Sequence, residues 1–322
     1  MSEHYPPSWP AHILERGAPP LPAEGLELAI ARQLKLSPEN ADSLCKVYRP
    51  LAAYCATRVS EGRGHSLILG VNGAQGTGKS TAAHILKAIL AACHGLNVCV
   101  MSIDELYLTR AQRENLAAAV HPLLETRGVP GTHDLPLALE VFQRLQQARA
   151  GDITRIPRFD KSVDDRCPPE DWEAVTGCPD VIIFEGWCVG ARPQRLGDLE
   201  QAVNALEAEE DPGGVWRRYV NTRLTDYQQL FSQLDLLVML KAPSFAQVLE
   251  WRQLQEQKLR DTLTPEMLAS SRLMSGPKIE RFIAHYERLT RWMLREMPAR
   301  ADVLFELAQD HQIATIDCHL SQ

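Results

Sequence analysis

The sequence predicts an α/β protein in three layers, in which helices cover both faces of a mostly parallel central sheet of about five strands. Two observations support this fold class. Short, nearly continuous apolar runs recur along the chain, and segments with apolar residues three to four positions apart lie between them. Continuous apolar runs suit strands buried on both faces, and the helices between them supply the crossovers of a parallel sheet. The runs cover residues 66–71, 97–103, 180–187, 235–242 and 312–317.

The chain before the first apolar run is predicted to form a helical extension. Residues 22–60 carry apolar side chains at helical spacing in two stretches that meet near Pro38. Pro50 is expected to kink the second helix or to end it early, because proline lacks the backbone N–H that a helix interior needs. We therefore predict an N-terminal helical extension over residues 1–62 and a main domain over residues 63–322.

Further helices are predicted within the main domain. An amphipathic stretch follows Gly78, and Asp134 with Pro136 has the composition of a helix start, in which an N-cap precedes a proline of the first turn. Pro277 opens a long segment with one apolar stripe. These helices alternate with the apolar runs, as the three-layer architecture requires.

Composition and charge limit the partners that the sequence favours. The formal net charge of −7 is opposite to the clustered positive charge that binds nucleic-acid backbones, so no nucleic-acid partner is expected. No apolar run approaches the roughly 18 residues that a membrane helix needs, and the start of the chain lacks a signal-peptide pattern. The eight cysteines have no metal-binding spacing. A cytoplasmic protein with reduced thiols and without a membrane partner is therefore expected.

Residues 73–81 read GAQGTGKST, the complete pattern G-x-x-x-x-G-K-[ST], between an apolar run and an amphipathic stretch. Glycines allow a tight turn whose backbone N–H groups converge on a phosphate, and the helix N-terminus adds its partial positive charge. In this pattern Lys79 reaches the β- and γ-phosphate oxygens and is a predicted catalytic residue, whereas the hydroxyl of Ser80 binds Mg²⁺. The predicted nucleotide-binding residues are Gly73, Ala74, Gly76, Thr77, Gly78, Lys79, Ser80 and Thr81.

The phosphate motif alone does not select the reaction. A guanine-specific GTPase would carry N-K-x-D, and no asparagine of this chain is followed by lysine, so ATP is the expected nucleotide. Motor and transporter ATPases usually end an apolar strand in aspartate, whereas the run DVIIFEGW carries Glu185 there. Glu185 is predicted to hold the water shell of Mg²⁺, and an ion pair at a strand end is the alternative.

The string SIDELYLT at 102–109 puts Asp104 at the carboxyl end of the second apolar run. Ligands of α/β proteins bind at this edge of the sheet. Asp104 is therefore a predicted catalytic base that accepts the proton of a hydroxyl group, as an aspartate does in kinases. The alternative role is an N-cap for the segment that follows.

Several strings of the sequence resemble known kinases. The strings DELY, GTHDL, IPRFDKS, DR and DVIIFEGW, which start at residues 104, 131, 156, 165 and 180, occur in the same order as in uridine kinase, phosphoribulokinase and bacterial pantothenate kinase. More closely, NGAQGTGKST, SIDELYLT, HPLLETRGVPGTHDL, DKS, EGW and WRQLQEQKLR resemble the D-glycerate 3-kinase family. This likeness covers roughly residues 64–300.

The resemblance implies an ATP-dependent D-glycerate 3-phosphotransferase that requires Mg²⁺ and has a phosphoribulokinase-like P-loop fold. By matching motif, Lys79, Ser80 and Thr81 would contact the phosphates and Mg²⁺. Asp104 would be the base, and Glu185 would be the carboxylate on the metal side.

The chain departs from the family pattern at two places near the expected acceptor pocket. The family often has two aspartates followed by Phe-Tyr, where this chain has the string DELY at 104–107. It also often has asparagine where His121 precedes Pro122.

A small anionic acceptor such as glycerate needs a fixed cation, most usefully a bidentate arginine for its carboxylate. The acceptor-binding segment is predicted over roughly residues 104–166. The predicted substrate-binding residues are Tyr107, Arg127, His133, Asp134, Lys161 and Arg166. Each cation also has a structural interpretation, because it can pair with a nearby acid or solvate a loop, and the histidine can be a hydrogen-bonded loop residue.

A helix from Ser244 is predicted to form part of a lid over roughly residues 244–275. In the kinases that this chain resembles, a helical lid brings an arginine onto the phosphates and excludes water after closure. Arg252 is the predicted lid residue and joins the nucleotide-binding set. Its spacing from Glu256 also suits a surface ion pair one helical turn apart.

Two other groups of residues are assigned structural roles. The acids Glu207, Glu209, Glu210 and Asp211 are expected at a solvated helix end. The residues Trp187, Trp216 and Trp251 are expected in the core or in pocket walls rather than in a base-stacking platform.

The sequence therefore predicts that residues 63–322 form a P-loop kinase domain. We expect it to transfer the γ-phosphoryl group of ATP, with Mg²⁺, to a small hydroxylated metabolite, and D-glycerate is the acceptor that the resemblance implies. Two alternatives stay open at this point. A related kinase would use a nucleoside, a pantothenate-like alcohol or a sugar phosphate, and a regulatory ATP-binding protein would use the phosphate loop to gate a partner.

Overall fold

The computed structural model describes residues 8–14, 25–62, 64–261 and 276–320 of the 322-residue chain. Its helices are α1 (Ala11–Leu14), α2 (Leu26–Leu34), α3 (Pro38–Glu61), α4 (Lys79–His94), α5 (Arg110–Ala119), α6 (Leu135–Gln147), α7 (Ala205–Glu210), α8 (Val215–Phe231), α9 (Phe245–Asp261) and α10 (Gly276–Glu296). Its strands are β1 (Leu67–Gly73), β2 (Val98–Ser102), β3 (Ile153–Ile156), β4 (Phe159–Asp160), β5 (Asp165–Arg166), β6 (Glu173–Thr176), β7 (Val181–Gly186), β8 (Leu236–Lys241), β9 (Val303–Leu307) and β10 (Ile313–Cys318). Short 3₁₀ turns cover Ile103–Leu106, Pro122–Glu125, Pro169–Asp171 and Leu196–Leu199.

Six strands within the described residues form the central sheet, in the order β10–β9–β8–β1–β7–β2. β1 pairs in parallel with β7 and β8 on either side, whereas the edge strand β10 runs antiparallel to β9. The α/β class and the mostly parallel sheet are thus confirmed. Sequence reasoning missed β9, because its run of five residues follows closely on the apolar stripe of α10, which obscures the change of periodicity.

Helices cover both faces of the sheet, as its apolar strands predict. On one face, α2, α3 and α4 enclose a core that includes Leu69, Val71 and Ile183. On the other face, α6, α8 and α10 pack over a core that includes Ile68 and Ile182. Because successive residues of a strand point to opposite faces, a continuous apolar run fills both cores.

The N-terminal helices share a core with the sheet. Trp9 lies edge-on to Phe305 of β9, with 5.8 Å between ring centroids, and donates its indole N–H to the carbonyl oxygen of Val47 at 2.8 Å. α3 runs through Pro50 to Glu61, so the expectation that this proline ends the helix early is wrong. Pro50 is buried within the helix, which continues past it although proline lacks the backbone N–H. The division of the chain into two domains stays a prediction.

Two short antiparallel ladders lie between α6 and β7. β3 pairs with β6, and β4 pairs with β5. In the second ladder, Phe159 lies opposite Arg166 and Asp160 lies opposite Asp165. The tight connection between these two strands carries Lys161, so a fixed hairpin holds part of the predicted acceptor segment.

The acidic cluster at α7 differs from the expected solvated helix end. Glu207 and Asp211 are each 1% exposed. They pair with Arg288 of α10 at 2.6 Å and with Arg217 of α8 at 3.2 Å, respectively. The expectation is wrong for these two acids because their partners come from other helices, which the local sequence does not reveal.

The remaining structural expectations concern the tryptophans and cysteines. Trp187, Trp216 and Trp251 are buried, as expected, and all eight cysteines are free thiols. Among the helices described, none combines the length with the apolar character that crossing a membrane requires.

Candidate active site

The phosphate loop connects β1 to α4 at the carboxyl edge of the sheet. Gly76 and Gly78 both have a left-handed φ of +83°, which glycine adopts without strain. A Cβ atom at Gly76 would lie 2.9 Å from the Cβ atom of Trp251 in α9, so this position also lacks room for a side chain. Lys79 begins α4 and Ser80 follows it, directly at the end of the loop.

The loop is also held by residues outside the motif. Trp251 stacks on the ring of His311 with 4.3 Å between centroids, and Nδ1 of His311 lies 3.1 Å from the carbonyl oxygen of Gly76. Within the loop, Thr77 donates its hydroxyl to the carbonyl oxygen of Ala74 at 2.8 Å. Sequence reasoning did not connect Trp251 and His311 with the loop because both lie far along the chain and carry no motif.

Ser80 and Glu185 meet where β1 and β7 end. Ser80 donates its hydroxyl to Oε1 of Glu185 at 2.7 Å. Glu185 is 5% exposed, and its Oε2 has no hydrogen-bond partner among the described residues. A hydroxyl and a buried carboxylate with an unsatisfied oxygen suit Mg²⁺, which prefers oxygen ligands. The two side chains therefore fit the predicted metal.

Asp104 lies in the 3₁₀ turn that follows β2. Its Oδ2 is 2.7 Å from Nζ of Lys161, and its Oδ1 accepts the hydroxyl of Tyr107 at 2.8 Å. The residue that caps the turn is Ser102, whose Oγ accepts the backbone N–H of Asp104 at 3.3 Å. The alternative of Asp104 as an N-cap is thus wrong, and its carboxylate is bound by side chains.

The carboxyl group of Asp104 is charged at neutral pH. Its burial acts to raise its pKa, but the charges of Lys161 and Lys79 and the hydrogen bonds from Lys161 and Tyr107 outweigh burial and hold this pKa well below its ordinary value. The pKa of Tyr107 is raised well above its ordinary value by burial and by Asp104. Tyr107 therefore remains a hydrogen-bond donor, and Asp104 remains an acceptor.

Arg166 and Asp134 hold the segment that carries Tyr107. Nη2 of Arg166 donates to Oδ2 of Asp134 at 2.9 Å and to the carbonyl oxygen of Tyr107 at 2.7 Å. The other carboxylate oxygen of Asp134 accepts the N–H of Leu137 at 3.1 Å and caps α6. Both side chains are therefore engaged in supporting the segment beside Asp104, and their predicted contact with a substrate stays a prediction.

His133 packs against Tyr107 in a buried position. The two rings stack with 4.6 Å between centroids, and Nδ1 of His133 lies 2.7 Å from the hydroxyl of Tyr227. Burial lowers the pKa of His133 to about 4, so its imidazole is neutral. Because the hydroxyl oxygen of Tyr227 already accepts the N–H of Gly131 at 2.9 Å, its own proton is available to Nδ1. Nε2 of His133 has no partner among the described residues.

A cleft of about 330 Å³ brings five of the predicted site residues together. They are Lys79, Ser80, Asp104, Lys161 and Glu185. Its other walls include residues that sequence reasoning did not assign to the site, namely His84, Glu105, Arg158 and Glu173. The cleft thus joins the phosphate loop, the candidate base and the candidate metal ligands at one edge of the sheet.

Arg127 and Arg252 line a neighbouring cavity of about 620 Å³. Arg127 is paired with Asp164, and its guanidinium carbon lies 5.6 Å from the ring centroid of Phe159. Arg252 of α9 pairs with Glu256 at 2.8 Å, so the ion pair suggested by their spacing is present. Lys161 lines both cavities, which makes them neighbours. The rest of the predicted lid, residues 262–275, lies outside the described residues.

The two departures from the family pattern have structural roles. Oε2 of Glu105 accepts the backbone N–H of Phe159 at 2.6 Å and so anchors the hairpin of β4 and β5. Nδ1 of His121 accepts the N–H of Leu123 at 3.3 Å, a capping contact that an asparagine oxygen would also make. Of the two residues, Glu105 also lines the cleft around Asp104.

Comparison with known proteins finds kinases. The chain is 32% identical over 230 residues to a Schizosaccharomyces pombe protein named Uncharacterized kinase mug58, and the match covers 69% of this chain and 79% of that protein. It is 27% identical over 236 residues to the chloroplastic D-glycerate 3-kinase of Arabidopsis thaliana, a match that covers 68% of this chain and 49% of the plant protein. This chain thus spans about half the length of the plant relative. No family model matches the sequence.

A solved structure has the same fold. The D-glycerate 3-kinase of Cryptococcus neoformans var. grubii superimposes with a TM-score of 0.66 at 24% sequence identity, covering 84% of this chain and 98% of that one. The α/β architecture and the arrangement of helices around a mostly parallel sheet are therefore shared with this protein.

Proposed function

The chain belongs to the family of P-loop kinases that includes the kinase mug58 of S. pombe, and we propose that it transfers the γ-phosphoryl group of ATP to D-glycerate. One observation carries this proposal: Lys79, Asp104 and the hydrogen-bonded pair of Ser80 and Glu185 line one cleft. A phosphate anchor, a proton acceptor and oxygen ligands for a metal are the parts that phosphoryl transfer needs.

The phosphate loop is suited to bind the polyphosphate of ATP. The backbone N–H groups around Gly76 and Gly78, together with the positive end of α4, attract the phosphate oxygens. Lys79 adds a full positive charge beside the transferred group. Ser80 and Glu185 would hold Mg²⁺, which would supply further neutralisation of the phosphate charge. Catalysis of this kind depends mainly on positioning and charge stabilisation, which a preformed loop provides.

Asp104 is the proposed base for the acceptor hydroxyl. Its carboxylate is charged and held in one orientation by Tyr107 and Lys161. In a loose transition state the attacking hydroxyl loses its proton late, so a carboxylate with a low pKa suffices to accept it. The same carboxylate orients the hydroxyl towards the phosphate bound at Lys79.

D-glycerate is favoured as the acceptor by the named plant relative and by the motifs shared with the D-glycerate 3-kinase family. The cleft also contains cations that could bind a small anion, since Lys79, Arg158 and Lys161 line it together with carboxylates.

The test is ADP release by the purified protein with ATP, Mg²⁺ and a panel of acceptors. The panel contains D-glycerate, L-glycerate, uridine, pantothenate and ribulose 5-phosphate, and an Asp104→Asn variant is measured beside the wild type. We expect turnover that depends on D-glycerate and collapses in the variant. Turnover with another acceptor would retain the kinase reaction and reject D-glycerate. Hydrolysis that no acceptor stimulates would favour a regulatory ATP-binding protein.

A further inference from the structure

The cations predicted from the sequence to bind an acceptor carboxylate already have acidic partners. Lys161, Arg127 and Arg166 are each paired with an aspartate. Binding of a second carboxylate at any of them would either break an existing ion pair or crowd two negative charges around one cation, and both are unfavourable. A cation without such a partner is therefore better suited to receive the carboxylate of an acceptor.

Arg158 lines the cleft of Asp104 and meets this requirement. Its guanidinium makes no hydrogen bond or ion pair with the described part of the chain, and the residue is exposed to solvent. Its charge acts within the cleft: burial raises the pKa of Glu105, and the positive charge of Arg158 opposes that rise. The planar fork of a guanidinium matches the two oxygens of a carboxylate.

The backbone at Arg158 is fixed on both sides of the residue. The carbonyl oxygen of Arg158 accepts the N–H of Cys167 at 2.8 Å, and the N–H of Phe159 is held by Glu105 at 2.6 Å. Phe159 is itself buried. Because the backbone is fixed, only the side chain of Arg158 has to be ordered when a ligand arrives.

We propose that Arg158 binds the carboxylate of the acceptor and determines the preference for anionic acceptors. This inference rests on the proposed function and deepens it: Asp104 contacts the hydroxyl end of a small hydroxy acid, and Arg158 contacts its acid end. Lys79 is the other cation of the cleft without an acidic partner in the described residues, and it is committed to the phosphates by its place in the loop.

The test compares Arg158→Gln and Arg158→Lys with the wild type. D-glycerate and its neutral carboxamide, D-glyceramide, serve as acceptors, and kcat and KM are measured for each acceptor and for ATP. We expect Arg158→Gln to raise KM for D-glycerate about 10- to 100-fold, the range of a lost charge-assisted pair. KM for ATP and the kinetics with D-glyceramide should stay unchanged, so the preference for the acid falls by the same factor. Arg158→Lys keeps the charge without the planar fork, so its KM for D-glycerate should lie between those of the wild type and Arg158→Gln.

Arg155→Gln is the matched control. Arg155 is an exposed arginine three residues earlier, which lines a different cavity and donates to the carbonyl oxygen of Trp172. Its replacement should leave kcat and KM for both acceptors unchanged. An unchanged preference for D-glycerate in Arg158→Gln would overturn the role of Arg158, and so would an equal rise in KM for ATP, which would assign this arginine to the nucleotide.

Failure of the inference and failure of the proposed function give different results. If the wild type turns over D-glycerate and Arg158→Gln keeps its preference, the role of Arg158 alone is rejected. If the wild type does not turn over D-glycerate, the proposed function is rejected, and calorimetric titration with D-glycerate and with pantothenate decides the role of Arg158. Binding of either carboxylate that is lost in Arg158→Gln and kept in Arg155→Gln supports it. Equal binding by both variants, or no binding by the wild type, overturns it.

Discussion

The ammonium nitrogen of Lys161 lies 2.7 Å from a carboxylate oxygen of Asp104, although the two residues are 57 positions apart in the chain. Lys161 belongs to the hairpin of β4 and β5, and Asp104 belongs to the turn after β2. This contact joins the two small structures that surround the cleft, and it keeps the candidate base charged. The same lysine separates the cleft from the larger cavity lined by Arg127 and Arg252.

Asp104→Asn should reduce kcat about 10²- to 10⁴-fold, because the amide keeps the shape of the carboxylate and cannot accept the hydroxyl proton. Affinity for ATP should stay near that of the wild type, since the phosphate loop is untouched. Steady-state kinetics with D-glycerate and ATP measure both quantities. Asp160→Asn, on the neighbouring hairpin, is the control and should keep its activity. A kcat in Asp104→Asn close to the wild-type value would contradict the role of this residue as the base.

Glu185→Gln should raise the Mg²⁺ concentration needed for half-maximal activity by about 10-fold or more, because a buried anionic ligand is replaced by a neutral one. The measurement is a Mg²⁺ titration of activity at constant ATP. Glu170→Gln removes an exposed acid and should leave the midpoint of the titration in place. An unchanged midpoint in Glu185→Gln would show that this carboxylate has no part in binding the metal.

His133 should make the protein less stable as the pH falls from neutrality. Burial lowers the folded-state pKa of His133 from 6.5 to about 4. The unfolded chain therefore takes up a proton between these values while the folded chain does not, so the free energy of unfolding falls as the pH falls through this window. The loss due to this one group should reach about 2 kcal/mol at pH 5 relative to pH 8.

Chemical denaturation of the wild type and of His133→Asn at pH 8 and pH 5 measures this loss. The variant should lose about 2 kcal/mol less than the wild type between the two pH values, whatever its stability at pH 8. His65→Asn replaces an exposed histidine and should follow the wild type. Identical pH dependence in the wild type and His133→Asn would reject the neutral, buried state of this side chain.

Gly76→Ala should destabilise the protein by about 3 kcal/mol and weaken ATP binding, since the new methyl group combines a left-handed φ with an overlap against Trp251. Gly95→Ala is the matched control, because Gly95 has a φ of +67° and open space around the added Cβ. Gly95→Ala should lower the free energy of unfolding by only about 1 kcal/mol, the backbone strain, and should leave the affinity for ATP unchanged. Denaturation curves and the shift of Tm by ATP measure the two effects. Equal losses of stability in both variants would argue against the steric contact with Trp251.

Glu207→Gln should destabilise the protein by about 3 kcal/mol or more, because it leaves the charge of Arg288 buried without its partner. Glu140→Gln removes the exposed partner of Arg144 and should change the free energy of unfolding by less than about 1 kcal/mol. Urea denaturation at neutral pH compares the two variants. Similar, small effects of both would mean that solvent reaches Arg288 in the folded protein.

The parts of the site that could be predicted are those whose functional residues lie together in one short stretch of sequence. The phosphate loop is such a stretch, since the turn, the lysine and the hydroxyl expected to bind Mg²⁺ must be adjacent to act on one phosphate. Asp104 and Glu185 could be identified because each ends an apolar run, and the carboxyl ends of parallel strands share one edge of the sheet. The α/β class followed from the same apolar runs.

What could not be predicted depends on contacts between distant segments. The string IPRFDKS drew attention to Lys161, and only the ion pairs of the folded chain distinguish Arg158 from the other cations. Tyr227 contacts His133 from α8, a helix whose sequence has no sign of a site. The burial of Asp211 could not be predicted either, because its partner, Arg217, lies in another helix.

The close approach of Trp251 to Gly76 couples the phosphate loop to α9 as a mechanical linkage. Because a protein interior has little free volume at such a contact, the loop cannot shift towards α9 unless this helix shifts with it. α9 also carries Arg252, the residue that follows Trp251 in the helix. A shift of the phosphate loop towards α9 would therefore also move Arg252, which lines the second cavity.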